Sequence, residues 1–207
     1  MRREAPDRDF YTALRDLNLE FLRLLVRCWH RSCTMAAGLD PLVHEQLAGL
    51  AADELEAIAA VPCLLARLRE ASDAPVARAA EPRPGAEPPC LADRGVFIAE
   101  LLTYATQVVR SDPLRLALCA GPGAGRAMAG LRFREIHAYA RRSAPRLEAR
   151  FGRHPRFWPE LVAAAREGTP RRLELARLSA IQLAVVEASP SRTGRRLPPP
   201  ERLSLSR

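Results

Sequence analysis

The spacing of apolar residues near the start of the chain is the feature that most limits its fold. Between Asp9 and Arg31 they recur every three or four positions, at Phe10, Ala13, Leu14, Leu17, Phe21, Leu24, Leu25 and Cys28. This period places them on one face of an amphipathic helix about six turns long. No segment alternates apolar and polar residues strictly enough, over enough positions, to indicate a sheet. The sequence therefore predicts an all-α fold.

Shorter helices are predicted to follow in the first third of the chain. Asp40 and Pro41 are typical of an N-cap and a first helical position, and indicate a helix that extends to Leu50. Residues 53–59 have helical spacing, and Pro62 indicates a last helix that continues to Leu68. These helices and the first one make up a predicted helical unit over residues 8–71.

Proline and charge divide the remaining residues. Residues 72–94 are rich in Pro and Ala and offer little to bury, so they are predicted to be a linker. Helical spacing returns at residue 95 and continues to a final amphipathic segment over 173–186, which predicts a second helical unit over 95–188. Residues 189–207 are basic and proline-rich, and are predicted to be a disordered tail.

The two predicted units resemble each other. A shift of 83 places Phe21 on Tyr104 and Gly38 on Gly121. After a two-residue deletion, residues 49–59 match 130–140, and the original shift returns at Pro62 and Pro145 and includes Ala66 and Ala149. Chance similarity between two Ala- and Leu-rich segments is the alternative. Matched Gly and Pro at helix ends favour a duplicated helical unit.

Charge is distributed unevenly between the units. Residues 1–70 carry nine Arg against eleven acidic residues, whereas residues 97–170 carry twelve against six and residues 171–207 carry eight against three. A basic half of this kind is typical of phosphate binding, and it fits an acidic protein partner equally well. The use of Arg without Lys is explained by GC-rich coding.

The first unit resembles a known family. The segment Asp16-Leu17-Asn18-Leu19-Glu20-Phe21-Leu22, the turn Ala37-Gly38-Leu39-Asp40 and the hairpin Leu47-Ala48-Gly49-Leu50 are similar to the flagellar transcriptional activator FlhD. The resemblance covers about residues 9–70. It implies an all-α, intertwined dimer that acts with the partner subunit FlhC, which binds promoter DNA and recruits RNA polymerase.

This chain departs from the family in two respects. Family members are shorter and carry one unit, whereas this chain carries two predicted units. The cysteine that bridges family protomers falls at Ala66, and Cys63 lies one helical turn away, so no bridge is carried over. Our hypothesis is that the two units pack on each other within one chain and imitate the family's dimer.

No residue set indicates catalysis or a metal site. Cys28 and Cys33 lie about 140° apart on a helix, too far for one tetrahedral metal, and are interpreted as core residues. The stretch from Gly121 to Arg126 lacks the strand and the Lys-Ser/Thr of a phosphate loop, and is interpreted as a helix end. His44, His137 and His154 are expected on the surface. Trp158 is expected to cover one end of the bundle at a packed helix start; the alternative is that the basic and aromatic stretch from His154 to Pro159 stacks on a base or anchors a protein partner. No enzyme activity and no cofactor are therefore predicted.

The sequence predicts a cytoplasmic, non-enzymatic protein without a membrane segment, and the resemblance implies that it is a transcriptional regulator. Phosphate contacts are assigned to Arg132, Arg134, Arg141, Arg142, Arg146 and Arg150. A surface for a partner or a dimer is assigned to Leu17, Phe21, Leu24 and Leu25. The alternative is an adaptor or anti-activator that binds a regulator subunit through those four apolar residues and does not contact DNA.

Overall fold

The structure is a computed structural model, and it describes residues 5–31, 38–69, 89–111, 115 and 131–188. Over these residues the fold is all-α, with one short two-stranded sheet. The helices are α1 (Ala5–His30), α2 (Pro41–Ala48), α3 (Ala52–Ala59), α4 (Pro89–Ser111), α5 (Ile136–Ser143), α6 (Phe157–Glu167) and α7 (Pro170–Ala188). Single 3-10 turns at Phe133–Glu135 and Ala144–Arg146 flank α5, and the strands are β1 (Ala66–Leu68) and β2 (Leu147–Ala149).

The first three helices predicted in the first third are confirmed as α1, α2 and α3, although α1 begins at Ala5, four residues before its predicted start. The side chain of Asp40 accepts a hydrogen bond from the Leu42 backbone N–H at 2.8 Å, and Pro41 occupies the first helical position. This cap satisfies one of the N–H groups that a helix start leaves without an intrahelical partner. Gly38, just before it, has φ +73°, a left-handed conformation that suits glycine.

The helix predicted from Pro62 to Leu68 is wrong, and the side chain of Asn18 explains why. Its amide nitrogen donates to the carbonyl oxygens of Ala59, Val61 and Cys63 at 3.1, 3.2 and 2.9 Å, and its oxygen accepts from the Leu65 N–H at 2.8 Å. A helix would join the Val61 carbonyl to the Leu65 N–H. Because Asn18 binds both groups, the segment stays extended and leads into β1.

The two strands pair around matched positions of the predicted repeat. They are antiparallel, and Ala66 pairs with Ala149, Arg67 with Glu148 and Leu68 with Leu147. Ala149 lies 83 positions after Ala66, which is the shift that relates the two predicted units. The matched residues thus pair at one end of the ladder, and an antiparallel pairing of matched residues is what a two-fold relation between two units produces.

The long helices α1 and α4 also pack on each other. The rings of Phe21 and Phe97 have centroids 5.5 Å apart, and the Tyr104 hydroxyl donates to the Phe10 carbonyl at 3.1 Å. The turn before α3 and the turn before α5 have the same cap: Glu54 accepts from the backbone of Ala51, and Glu135 accepts from that of Arg132. Corresponding parts of the two units therefore share local geometry as well as sequence.

The last two helices close the fold over the first unit. α6 packs against α2 and α3, and α7 packs against α6. Trp158 at the start of α6 is buried, as expected of a residue that covers the bundle, and its indole N–H donates to the Arg150 carbonyl at 2.9 Å. The predicted second unit thus contributes helices to the core of the first.

The predicted linker over 72–94 ends too late, because α4 begins at Pro89. Proline is favoured in the first turn of a helix, where its missing N–H has no intrahelical acceptor. The rest of the linker, the segment from Gly121 to Arg126, Cys33 and the tail over 189–207 lie outside the described residues.

Candidate nucleic-acid interface

Four of the six arginines assigned to phosphate lie on one exposed segment. Arg132 precedes the 3-10 turn before α5, Arg134 lies within that turn, and Arg141 and Arg142 lie near the end of α5; all four side chains are exposed. Within the described part of the chain, none of the four forms an ion pair. Their positive charges are therefore uncompensated and face solvent, which is the state that phosphate binding requires.

The core holds this segment in place. Ile136 and Ala140 of α5 are buried, and α5 packs along α4. At the contact, Gly95 of α4 lies against the backbone of Arg141, and a Cβ on Gly95 would lie 3.6 Å from the Arg141 Cα. A rigid helix that is buried on one side and arginine-rich on the other presents its charges in a fixed arrangement.

Arg146 is only half-buried, and its guanidinium is already engaged. It donates to the Ser143 hydroxyl at 2.7 Å and lies over the Tyr139 ring, 5.7 Å from the ring centroid. These contacts fix the side chain at the end of α5, beside the exposed arginines. A phosphate contact by Arg146 would share the guanidinium with Ser143.

The assignment of Arg150 to phosphate is wrong, because this residue is 0% exposed. Its Nε donates to Glu187 of α7 at 2.7 Å, and its guanidinium lies 5.0 Å from the Phe151 ring centroid. Its backbone N–H donates to the Leu65 carbonyl at 2.7 Å. Arg150 is a core residue that joins the sheet to α7.

Phe133 is not among the residues predicted from the sequence to bind phosphate, and it is 75% exposed between Arg132 and Arg134. An aromatic ring beside guanidinium groups is a platform on which a nucleic-acid base stacks. The signal is visible in the predicted repeat, where Arg132-Phe133-Arg134 replaces Ala51-Ala52-Asp53 of the first unit. The replacement adds an aromatic ring and changes the local charge from negative to positive.

The partner surface assigned to Leu17, Phe21, Leu24 and Leu25 is not a surface in this structure. All four are buried in the core, with exposed fractions from 1% to 8%. Phe21 packs on Phe97 of α4, so the second unit lies where a separate partner was expected. A partner would have to separate α1 from α4 to reach these residues.

His44 and Cys28, which the sequence analysis considered as possible site residues, are both buried in the core. The expectation that His44 lies on the surface is wrong: it is buried, and its Nε2 lies 2.9 Å from the Leu25 carbonyl oxygen. Cys28 is buried, and burial raises the pKa of its thiol, although a hydrogen bond and the charge of Arg94 oppose the shift. No group of three His, Cys, Asp or Glu residues is placed to hold a metal within the described ranges.

A cavity of about 620 Å³ lies between α2 and the loop before α6. Asp40, Leu42, Arg153, His154 and Trp158 are among the residues that line it. Among the lining residues that the structure describes, none is a Ser, Thr or Cys. The His154 side chain is hydrogen-bonded at the start of α6, where its Nδ1 accepts from the Phe157 N–H at 3.1 Å.

Comparison with known proteins finds no relative for this chain. No family model matches it, and neither a curated protein nor a solved structure does. None of the helices in the described part of the chain has the length and apolar character needed to cross a membrane.

Proposed function

We propose that this protein is a non-enzymatic transcriptional regulator of the FlhD type, in which two units of one chain take the place of a dimer. The pairing of Ala66 with Ala149 carries the proposal. The resemblance puts the cysteine that bridges two family protomers at Ala66, and here the matching residue of the second unit lies directly across the sheet. The burial of Phe21 against α4 supports the same arrangement.

In this proposal the second unit binds the phosphate backbone of promoter DNA. Residues 131–188 carry twelve Arg against six Glu, and Arg132, Arg134, Arg141 and Arg142 are exposed without ion pairs in the described part. Such contacts supply affinity that does not depend on sequence. An FlhC-like subunit would add the choice of promoter, and activation would require its presence, as the resemblance implies.

The adaptor function has less support. It depends on Leu17, Phe21, Leu24 and Leu25 as a docking surface, and these side chains are buried inside the chain. An adaptor would therefore have to use a different surface.

Fluorescence anisotropy with a labelled duplex from a mixed genomic pool, titrated at several salt concentrations, tests the proposal. The variant replaces Arg134, Arg141 and Arg142 by Ala. Each lost phosphate contact lowers the steepness of log binding constant against log salt concentration by about 0.9. Loss of three contacts therefore lowers this slope by roughly 2–3, and lowers the affinity on the order of 100-fold near 0.1 M salt. The matched control replaces three exposed arginines of α1, Arg15, Arg23 and Arg27, and so removes the same charge.

Equal losses of DNA affinity in the variant and the control would show that net charge alone attracts DNA. That result would refute the assignment of a binding site to these arginines. Absence of binding by the unmodified protein near 0.05 M salt would remove direct DNA binding. An FlhC-type subunit added to the unmodified protein then measures the remaining, partner-mediated form of the proposal.

A further inference from the structure

The outward face of α7 is both apolar and exposed. Leu175, Leu178, Ile181, Val185 and Val186 lie on this face, with exposed fractions between 42% and 71%. At 100° per residue these five positions span an arc of about 140° around the helix. We call this set the α7 stripe.

The inward face of α7 carries the small residues. Ala176, Ala180 and Ala184 are buried, and they lie on the side of the helix opposite Leu178. A surface helix ordinarily turns its large apolar residues to the core and its polar residues to solvent. α7 packs Leu173 and Leu183 partly against the core but turns five large apolar residues to solvent, which indicates that its outer side also packs against protein.

The charged residues of the outward face, Arg171 and Glu174, lie at its N-terminal end. Over the next three turns, from Leu175 to Val186, the outward positions carry no charge, and Gln182 is their polar residue. Lone apolar residues are common on protein surfaces, but a contiguous uncharged row at helical spacing marks an interaction site.

The ends of α7 favour one kind of partner. Arg171 lies in the first turn on the same side as Leu178, and that turn contains no acidic residue; Glu174 follows on the same side at the start of the next turn, and no basic residue lies in the last turn. This is opposite to what a helix dipole favours. A second α7 packed antiparallel would bring each Arg171 beside the carbonyl end of the other helix, where a positive charge is stabilised. Parallel packing would bring two Arg171 side chains together.

We propose that the α7 stripe binds the α7 stripe of a second copy of this chain, with the two helices antiparallel. The tail that follows α7 fits the stripe less well, because residues 189–207 contain three Leu and five Arg. One helix face is smaller than the roughly 800 Å² per partner of stable dimers, so the association is weak and depends on concentration. It is separate from the packing of the two units within one chain.

Sedimentation equilibrium of the full chain at about 10 and 200 µM, in about 0.05 and 0.5 M NaCl, tests the proposal. The copies carry a net charge of +8 each and repel one another. Salt screens this repulsion, so the dimer fraction rises with salt, whereas DNA binding weakens with salt. The double variant Leu178→Gln with Val185→Gln is expected to remain monomeric. Leu42→Gln on α2, an exposed apolar residue outside the stripe, is the matched control and should dimerise like the unmodified chain.

The variant Arg171→Glu tests the antiparallel orientation. It places a negative charge beside the partner's carbonyl end, so it is expected to raise the dimer dissociation constant about tenfold while leaving the helix content by circular dichroism unchanged. An unchanged or lower constant would refute the orientation. A monomer at the highest concentration, or a dimer that the Gln variant leaves intact, would overturn the proposal. Dimers formed only after residues 189–207 are deleted would assign the stripe to the tail and would overturn it as well.

Discussion

Replacing Asn18 by Ala is expected to destabilise the protein more than any exposed substitution. The change removes the donor for the carbonyls of Ala59, Val61 and Cys63 and the acceptor for the Leu65 N–H, all within a fully buried site. A buried polar group without its partner costs about 1–3 kcal/mol. Two protons are shared among three carbonyls, so we expect a total loss of roughly 3–5 kcal/mol, a large share of the stability of a typical domain.

Urea unfolding followed by circular dichroism measures this loss. Asp16→Asn is the control, because Asp16 is exposed two positions away in the same sequence segment, and it should change the free energy of unfolding by less than about 0.5 kcal/mol. Asn18→Asp keeps the shape but faces three carbonyl oxygens with a second oxygen. It is therefore expected to destabilise about as much as Asn18→Ala, and more as its carboxyl group ionises.

Hydrogen exchange provides a local readout. The Leu65 amide should lose its protection in Asn18→Ala even where the chain remains folded, because its acceptor is gone. A loss below about 1 kcal/mol together with an unchanged exchange rate at Leu65 would refute the account of why residues 62–68 do not form a helix.

Three further predictions follow from the structure. Gly152→Ala should cost about 2–4 kcal/mol in urea unfolding, because the new Cβ would lie 2.2 Å from the Gly38 carbonyl oxygen, whereas Gly49→Ala, with its nearest neighbour at 3.5 Å, should be nearly neutral; similar values would contradict the close contact. Burial raises the pKa of the Cys28 thiol, so the contribution of this group to stability is fully present below the usual pKa of 9.0 and is lost as the pH rises through the higher folded value. The free energy of unfolding, measured from pH 7 to 10, should therefore decline more steeply than in Cys28→Ala. Parallel curves for the two proteins would refute this. Phe133→Ala should weaken single-stranded DNA binding about tenfold, as expected for loss of one stacked base, while Phe133→Tyr retains binding; equal anisotropy titrations for all three proteins would exclude stacking.

The helices of the first third could be predicted because their signals are local. Apolar spacing placed α1, and the Asp40-Pro41 pair placed the start of α2. The segment after Pro62 could not be predicted, because its conformation depends on an amide 41 to 47 positions earlier in the chain. Helix propensity depends on neighbouring residues, so it contains no information about a side chain that is far away in the sequence and replaces the helical hydrogen bonds.

The candidate interface could be predicted only in part, because the burial of one of its arginines depends on a distant part of the chain. The exposed arginines of α5 follow from composition and helical spacing. Arg67 and Arg150 occupy matched positions of the predicted repeat, yet Arg67 is partly exposed and Arg150 is buried. Glu187 of α7 forms its ion pair at 2.7 Å with Arg150, and lies 3.8 Å from Arg67. Burial at this position thus depends on α7, which lies beyond the repeated positions of the second unit, and the spacing of the repeat does not contain that information.

The pairing of β1 with β2 has a consequence for a molecule present in few copies per cell. Two separate subunits come apart when diluted, and each then exposes the surface it had buried. Here both halves belong to one chain, which holds them at an effective concentration that dilution does not change. The buried contacts of Leu17, Phe21, Leu24 and Leu25 therefore persist in a single isolated molecule, and the number of molecules in the cell does not set the folded fraction.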